Sequence, residues 1–266
     1  MLMLNASVGP WVGRLVRLGY IAKGLIYSLI GVLALRVALG LGGGRLTDPS
    51  GALRTLLDQP FGRIMLALIG VGIVGYAAYY IFEALADLRR RGGGVRGWTA
   101  RVLTIIKASV YGAIGVQALQ VVLFDQRPRD RTEQGASAVM QFPLGEWLLV
   151  AIGIGVAIYG FTQLRMVWRG GADDDIDIDL VKREARWLLP LGRFGTAARS
   201  IIIILMGAAF ARSGWGGRAA DADGYSEVMR TIAALNPWLL AAMGAGLLCF
   251  GLYQLCHARY ARIAIR

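Results

Sequence analysis

The chain is poor in the residues that most enzymes use. Among 266 residues there is one histidine, His257, and there are two cysteines, Cys249 and Cys256. A single histidine at the end of an apolar run leaves no His-rich metal site and no serine–histidine–acid set. The cysteines are seven residues apart in one helical run, about two turns, too far for a disulfide; they read as small buried apolar residues. Lysine is scarce too, with Lys23, Lys107 and Lys182 set against 26 arginines, which hints at a GC-rich bacterial genome. Acidic residues number 17 against 29 basic ones, and all charged residues together make up 17%. No acid pair falls inside an apolar run, no zinc-ligand spacing occurs, and neither Gly42–Gly44 nor Gly92–Gly94 follows a strand as a nucleotide loop would. The expectation is a protein that is not an enzyme and carries no cofactor.

Apolar residues are abundant, at 56%. They fall into six runs, roughly 18–41, 64–85, 102–124, 147–167, 197–210 and 238–256, most of them near the ~20 residues that cross a bilayer. The expected fold is therefore an all-α integral membrane protein with six transmembrane helices. The fifth run is the shortest. The first contains Lys23 and exceeds the apolar stretch of a cleavable signal, so it reads as an uncleaved first span.

The net charge is +12. In a soluble chain this would point to nucleic acid. Here the basic residues flank apolar runs, so they orient the protein in the membrane and no nucleic-acid partner is expected. Nineteen of them lie on the side of the termini and ten on the other. The positive-inside rule then puts both termini in the cytoplasm, with the bacterial plasma membrane as the location.

The runs repeat. The first contains Arg17-x5-Lys23-x3-Tyr27-x3-Gly31, the third Arg101-x5-Lys107-x3-Tyr111-x3-Gly115, and the fifth Arg193-x5-Arg199-x3-Ile203-x3-Gly207. The even runs carry proline followed sixteen residues later by tyrosine: Pro60 and Tyr76, Pro143 and Tyr159, Pro237 and Tyr253. The chain is thus one membrane domain, 1–266, with repeats 14–87, 98–168 and 190–260 joined by cytoplasmic linkers 88–97 and 169–189. Each unit holds two spans, so the three are parallel. A pseudo-threefold about the membrane normal is the natural arrangement; three hairpins in a row is the alternative. A short amphipathic piece precedes each proline, at 51–59, 135–142 and 225–236, suited to the interface. The proline fits the first turn of the next helix.

RLGYIAKGLIYSLIGVLALRVALG and GALRTLLDQPFGRIMLALIGVGIVGYAAYYIFEA, with their weaker copies, resemble the bacterial membrane family DUF1206, a domain of unknown function. The resemblance covers about 14–260, and is good in the first repeat, fair in the second and poor in the third. It implies three two-helix repeats and a membrane location, and it brings no activity.

Lys23, Lys107 and Arg199 stand at the same repeat position, a few residues inside their spans near the cytoplasmic end. Charge there costs free energy unless something offsets it. Under threefold packing they ring an inner vestibule that attracts an anion or a lipid headgroup; the competing reading is that each snorkels to the headgroups. A second polar set lies on the inner face: Tyr27 and Tyr111 one turn beyond the lysines, then Tyr76, Tyr80 and Glu83, Tyr159 and Gln163, and Tyr253 and His257, counted from the prolines. The aromatic belt accounts for the tyrosines equally well. Glu83 is read as a structural pair for Lys23. The acidic stretch 173–179 lacks the glycine and closing glutamate of a calcium loop and reads as a solvated loop. Two functions follow: a pathway for a small solute, anions included, or a non-transporting protein that binds anionic phospholipid or a protein partner. The bilayer itself is the one certain partner.

Overall fold

A computed structural model describes residues 10–88, 92, 94–124, 132–169, 186–218, 222 and 224–260. The acidic stretch 173–179, most of linker 169–189 and part of linker 88–97 lie outside the described residues, as do several of the charges counted above.

The described residues form nine helices. They are α1 (Pro10–Ala38), α2 (Pro49–Leu57), α3 (Gly62–Leu85), α4 (Val95–Phe124), α5 (Thr132–Met140), α6 (Gly145–Trp168), α7 (Leu188–Gly216), α8 (Tyr225–Leu235) and α9 (Pro237–Tyr260). Six of them, α1, α3, α4, α6, α7 and α9, are long and apolar enough to cross a membrane. The protein is a six-span helical membrane protein.

The odd spans are longer than their apolar runs. α7 covers 29 residues rather than the expected 14. Arg193, Arg199 and the flanking glycines lower its hydropathy, yet Arg199 is buried in protein and the helix continues through it. α7 starts with Pro190 in its first turn, where the missing N–H is harmless, and it stops at Gly217, whose φ of 62° ends the helix.

The short helices α2, α5 and α8 sit where the amphipathic pieces were expected. Asp48 caps α2, its carboxylate accepting from Gly51 N at 2.8 Å and Ser50 N at 3.3 Å. The prolines behave differently from expectation. Pro60 and Pro143 precede their helices, followed by Phe61 and Leu144 in left-handed geometry with φ of 62° and 64°. Only Pro237 opens its helix, after an extended Asn236 whose side chain accepts from Trp238 N. α9 therefore begins earlier relative to its proline than α3 or α6.

The spans form a ring. Each even span packs against the odd span of the next repeat: α3 on α4, α6 on α7, and α9 on α1. At all three seams the repeat glycine faces a glycine carbonyl. A Cβ on Gly31 would stand 2.7 Å from Gly244 O, on Gly115 3.2 Å from Gly70 O, and on Gly207 2.6 Å from Gly153 O. The three equivalent contacts give the ring its pseudo-threefold order. Within repeats, α1 packs on α3 and α7 on α9.

The second repeat breaks the pattern, because α4 and α6 do not pack along one another. Only 22% of the α4 span and 17% of the α6 span is buried, against 44–61% for the others, so the ring is open there. Gly19 lets α3 approach α1, since a Cβ there would lie 2.5 Å from Tyr76 Cβ; Gly195 does the same for Phe250 on α9. The equivalent residue of α4 is Leu103, 38% exposed, so this hairpin lacks the glycine at which the other two close. On α6, Gly155 corresponds to Gly72, which packs on Leu18, and to Gly246, which packs on Ala198. A Cβ on Gly155 meets nothing within 4 Å.

Candidate functional site

The ring is centred on aromatic rings and charges. Lys23, Arg199, Glu83 and His257 are buried, with Tyr20, Tyr27, Tyr76, Tyr80 and Tyr111 around them. Each of the three repeated cations lies 11–13 residues from the start of its helix. At 1.5 Å per residue this is about 16–20 Å along helices that begin earlier than their apolar runs. Snorkelling is corrected for Lys23 and Arg199, which are 3% and 7% exposed.

Lys23 on α1 sits in a cage of rings. Its ammonium is 4.5 Å from the Tyr111 ring centroid, 4.8 Å from Tyr76 and 5.4 Å from Tyr20, and it donates to Tyr76 Oη at 3.4 Å. Aromatic faces offset part of the cost of removing the cation from water. Tyr20 and Tyr80 share a 2.6 Å hydrogen bond, one hydroxyl donating to the other. His257 stacks on Tyr20 at 4.2 Å.

Arg199 on α7 holds the second centre. Its Nε donates to Tyr27 Oη and its Nη2 to Tyr111 Oη, each at 3.2 Å. The guanidinium lies 5.5 Å from the Tyr27 ring and 5.2 Å from Phe250. Among the described residues it has no carboxylate partner. The half-buried Tyr159 is close enough to couple with it electrostatically. Lys107 on α4 is half-buried, 5.8 Å from the Tyr80 ring, with no hydrogen bond or ion pair among the described residues. Tyr111 thus touches both the Lys23 and Arg199 centres, and Tyr80 links Lys107 to Tyr20.

Of the inner-face set, Tyr27, Tyr111, Tyr76, Tyr80 and His257 meet at this centre, and Glu83 is buried on α3 about one turn beyond Tyr80. Tyr159 and Gln163 line the open side, where Gln163 Nε2 donates to Tyr159 Oη at 3.1 Å. Tyr253 stands at the edge of the cluster: its ring meets His257 edge-on at 5.7 Å, and it packs on Leu188 and against Gly192 at the start of α7. The contacts place repeat three in a register three residues from the proline count. Gly244 and Gly246 match Gly70 and Gly72, and Phe250 lies over Arg199 as Tyr76 lies over Lys23. In this register His257 corresponds to Glu83. The early start of α9 produces the shift, and alignment on the paired glycines would have found it.

Sequence reasoning missed Tyr20, Phe250 and Tyr225. Tyr20 is one turn before Lys23, and that spacing was its only signal. Tyr225, the first residue of α8, is buried toward the axis within electrostatic reach of Tyr27 and Arg199. Its hydroxyl has no hydrogen-bond partner among the described residues. Burial, and secondarily Tyr27, push its pKa well above the ordinary tyrosine value, with Arg199 acting in opposition. Arg101 was read as an orienting charge only. It donates to Ala84 O at 2.6 Å and Leu85 O at 2.9 Å, closing the end of α3. Cys249 and Cys256 are free thiols, half-buried rather than buried.

Three stretches, 18–87, 102–170 and 194–261, match the family described as Domain of Unknown Function (DUF1206). The chain belongs to this family. It is also 30% identical over 261 residues to "Uncharacterized protein YxxB" of Bacillus subtilis (strain 168), covering 97% of this chain and 94% of that protein. No solved structure matches. The three DUF1206 matches coincide with the three two-span units of the ring.

Proposed function

We propose that this DUF1206 protein is a plasma-membrane anion-binding protein, with both termini in the cytoplasm, whose site is centred on Arg199. One observation carries the reading: a guanidinium buried within a membrane-spanning helix is held by two tyrosine hydroxyls and two ring faces, with no carboxylate among the described residues. A cation buried there costs free energy unless it is offset. Hydroxyls and rings offset part of this, and an anion offsets the rest. Guanidinium has five N–H donors in a planar fork, and two are used, so an oxyanion finds donors waiting. Lys107 supplies a second cation one helix away. The reading assigns no enzymatic reaction.

A solute pathway along the axis is the second reading, favoured by polar side chains from all three repeats at one depth. The close ring contacts of Tyr20, Tyr76, Tyr80 and His257 weigh against it, because they fill the axis with side chains. The two are separated by measuring calorimetric binding of inorganic phosphate to the purified chain in neutral nanodiscs, alongside phosphate flux in liposomes. Saturable binding that falls at least tenfold in Arg199→Gln and several-fold in Lys107→Gln, without flux, is expected. Binding that is absent, or equal in a folded Arg199→Gln protein, overturns the reading; saturable flux moves the protein to the second.

A further inference from the structure

The open side of the ring lies beside the Arg199 centre, which Tyr111 of α4 and Tyr159 of α6 flank. The two walls of the opening are the faces that pack within repeats one and three and are left unpacked in repeat two. On α6 the stripe is Ile152, Gly155, Tyr159 and Gln163, spaced by three or four residues and so on one side of the helix. Ile152 and Gly155 are exposed; Tyr159 and Gln163 are half-buried. On α4 the opposing residues are Val102, Leu103 and Ile106, all exposed.

The opening is apolar where it meets the bilayer and polar where it ends. Behind the α4 wall, Tyr111 accepts from Arg199; behind the α6 wall, Tyr159 couples with it. Lys107 is one turn from Leu103 and next to Ile106 on the same helix. Two cations without carboxylate partners among the described residues therefore stand at the inner end of an apolar cleft that opens sideways between two membrane spans. A soluble anion would meet isoleucine, valine and leucine before reaching them. A molecule already in the bilayer, with an anionic head and apolar chains, meets surfaces that match it at both ends.

We infer that the cleft between α4 and α6 admits an anionic lipid from the bilayer, its phosphate lying against Arg199 and Lys107 and an acyl chain running over Gly155 between the two helices. This rests on the anion-site reading above and names the ligand's class and route. Leu103 then has a role beyond packing: it keeps the second hairpin open where Gly19 and Gly195 let the other two close. Gly155 gives the acyl chain a smooth wall, and it is the position at which the cleft can be blocked without disturbing the ring, because a side chain there meets no protein atom.

The test uses the full chain in neutral detergent, titrated with phosphatidylglycerol or phosphatidylcholine and read by native mass spectrometry, with calorimetry of inorganic phosphate in parallel. The wild type is expected to retain one phosphatidylglycerol per chain, at least tenfold more tightly than phosphatidylcholine. Gly155→Trp should weaken phosphatidylglycerol at least tenfold and leave phosphate binding within twofold. Arg199→Gln should weaken both. Phosphatidylglycerol binding unchanged in Gly155→Trp, or no preference over phosphatidylcholine, overturns the inference. A dimer that Gly155→Trp dissociates also overturns it, since a second copy then fills the cleft. Phosphate binding without lipid binding defeats the lateral route and leaves the anion site standing. Binding of neither removes the anion site and the inference with it.

Discussion

Glycine-to-alanine substitution at two positions probes the ring and its opening together. At Gly31 an added Cβ would lie 2.5 Å from Leu248 N, 2.7 Å from Gly244 O and 2.9 Å from Leu248 Cα. All three are backbone atoms, so no rotamer change relieves the contact. Restoring ordinary van der Waals separation moves α1 and α9 apart by roughly 1 Å along a seam closed by Gly24, Gly251 and Gly244. Overpacking of this kind costs about 1–3 kcal/mol, offset by up to ~1 kcal/mol because alanine favours the helix over glycine. Net destabilisation of about 1–2 kcal/mol is expected for Gly31→Ala. At Gly155 nothing lies within 4 Å, so only the propensity term operates, and Gly155→Ala is expected to be neutral or to stabilise by up to ~1 kcal/mol. The assay is reversible unfolding of each variant in mixed micelles, followed by near-ultraviolet circular dichroism of the buried tyrosines. Gly155→Ala losing as much stability as Gly31→Ala would refute the open second repeat, because Gly155 would then be packed like Gly72 and Gly246.

Tyr20→Phe removes one member of the 2.6 Å Tyr20–Tyr80 hydrogen bond and is expected to cost about 0.5–1.5 kcal/mol in the same unfolding assay. Tyr225→Phe removes a buried hydroxyl without a partner among the described residues and should be neutral or slightly stabilising at pH 7. The raised pKa of Tyr225 has a definite sign: both states are protonated below pH ~10, so it adds no pH dependence there. Above pH ~10 the unfolded chain loses the proton first and stability falls, a slope that Tyr225→Phe should reduce in alkaline unfolding titrations. Leu103→Gly should let α6 approach α4. With spin labels on Ile106→Cys and Ile158→Cys, in a Cys249→Ala, Cys256→Ala background, the interlabel distance should shorten by several ångström; no change would mean that Leu103 is not what keeps the hairpin open.

Much of this was legible in the residues. Six apolar runs gave six spans, and the spacing from Arg17 to Gly31 carried into all three odd helices because each of those positions does a job. The glycine closes a seam, the cation is buried in two of three copies, and the tyrosine at two of three positions reaches Arg199. What stayed hidden depends on where helices begin. Counting from proline placed Tyr253 opposite Tyr76, because nothing in Asn236-Pro237-Trp238 announces that α9 starts at the proline while α3 waits until Gly62. Burial was hidden for a related reason. A window of hydropathy treats Arg199 as an interruption, and only the arrangement of Tyr27, Tyr111 and Phe250 from three other helices makes it an interior residue.

The three repeats share a plan and differ where the chemistry is. Lys23 receives three tyrosine rings and a hydroxyl; Arg199 receives two hydroxyls and two rings; Lys107 receives one distant ring and the open side. A strict threefold ring would give each cation the same surroundings and close all three hairpins. Leu103 stands where the other two odd spans have glycine, and in that repeat α6 does not pack along α4, Lys107 has one distant ring and Tyr159 is half-exposed. The second repeat therefore both opens the side of the ring and leaves Lys107 short of partners among the described residues. A packing defect would do the first alone. Doing both at one depth, beside the best-donating side chain in the interior, is what a binding cleft requires.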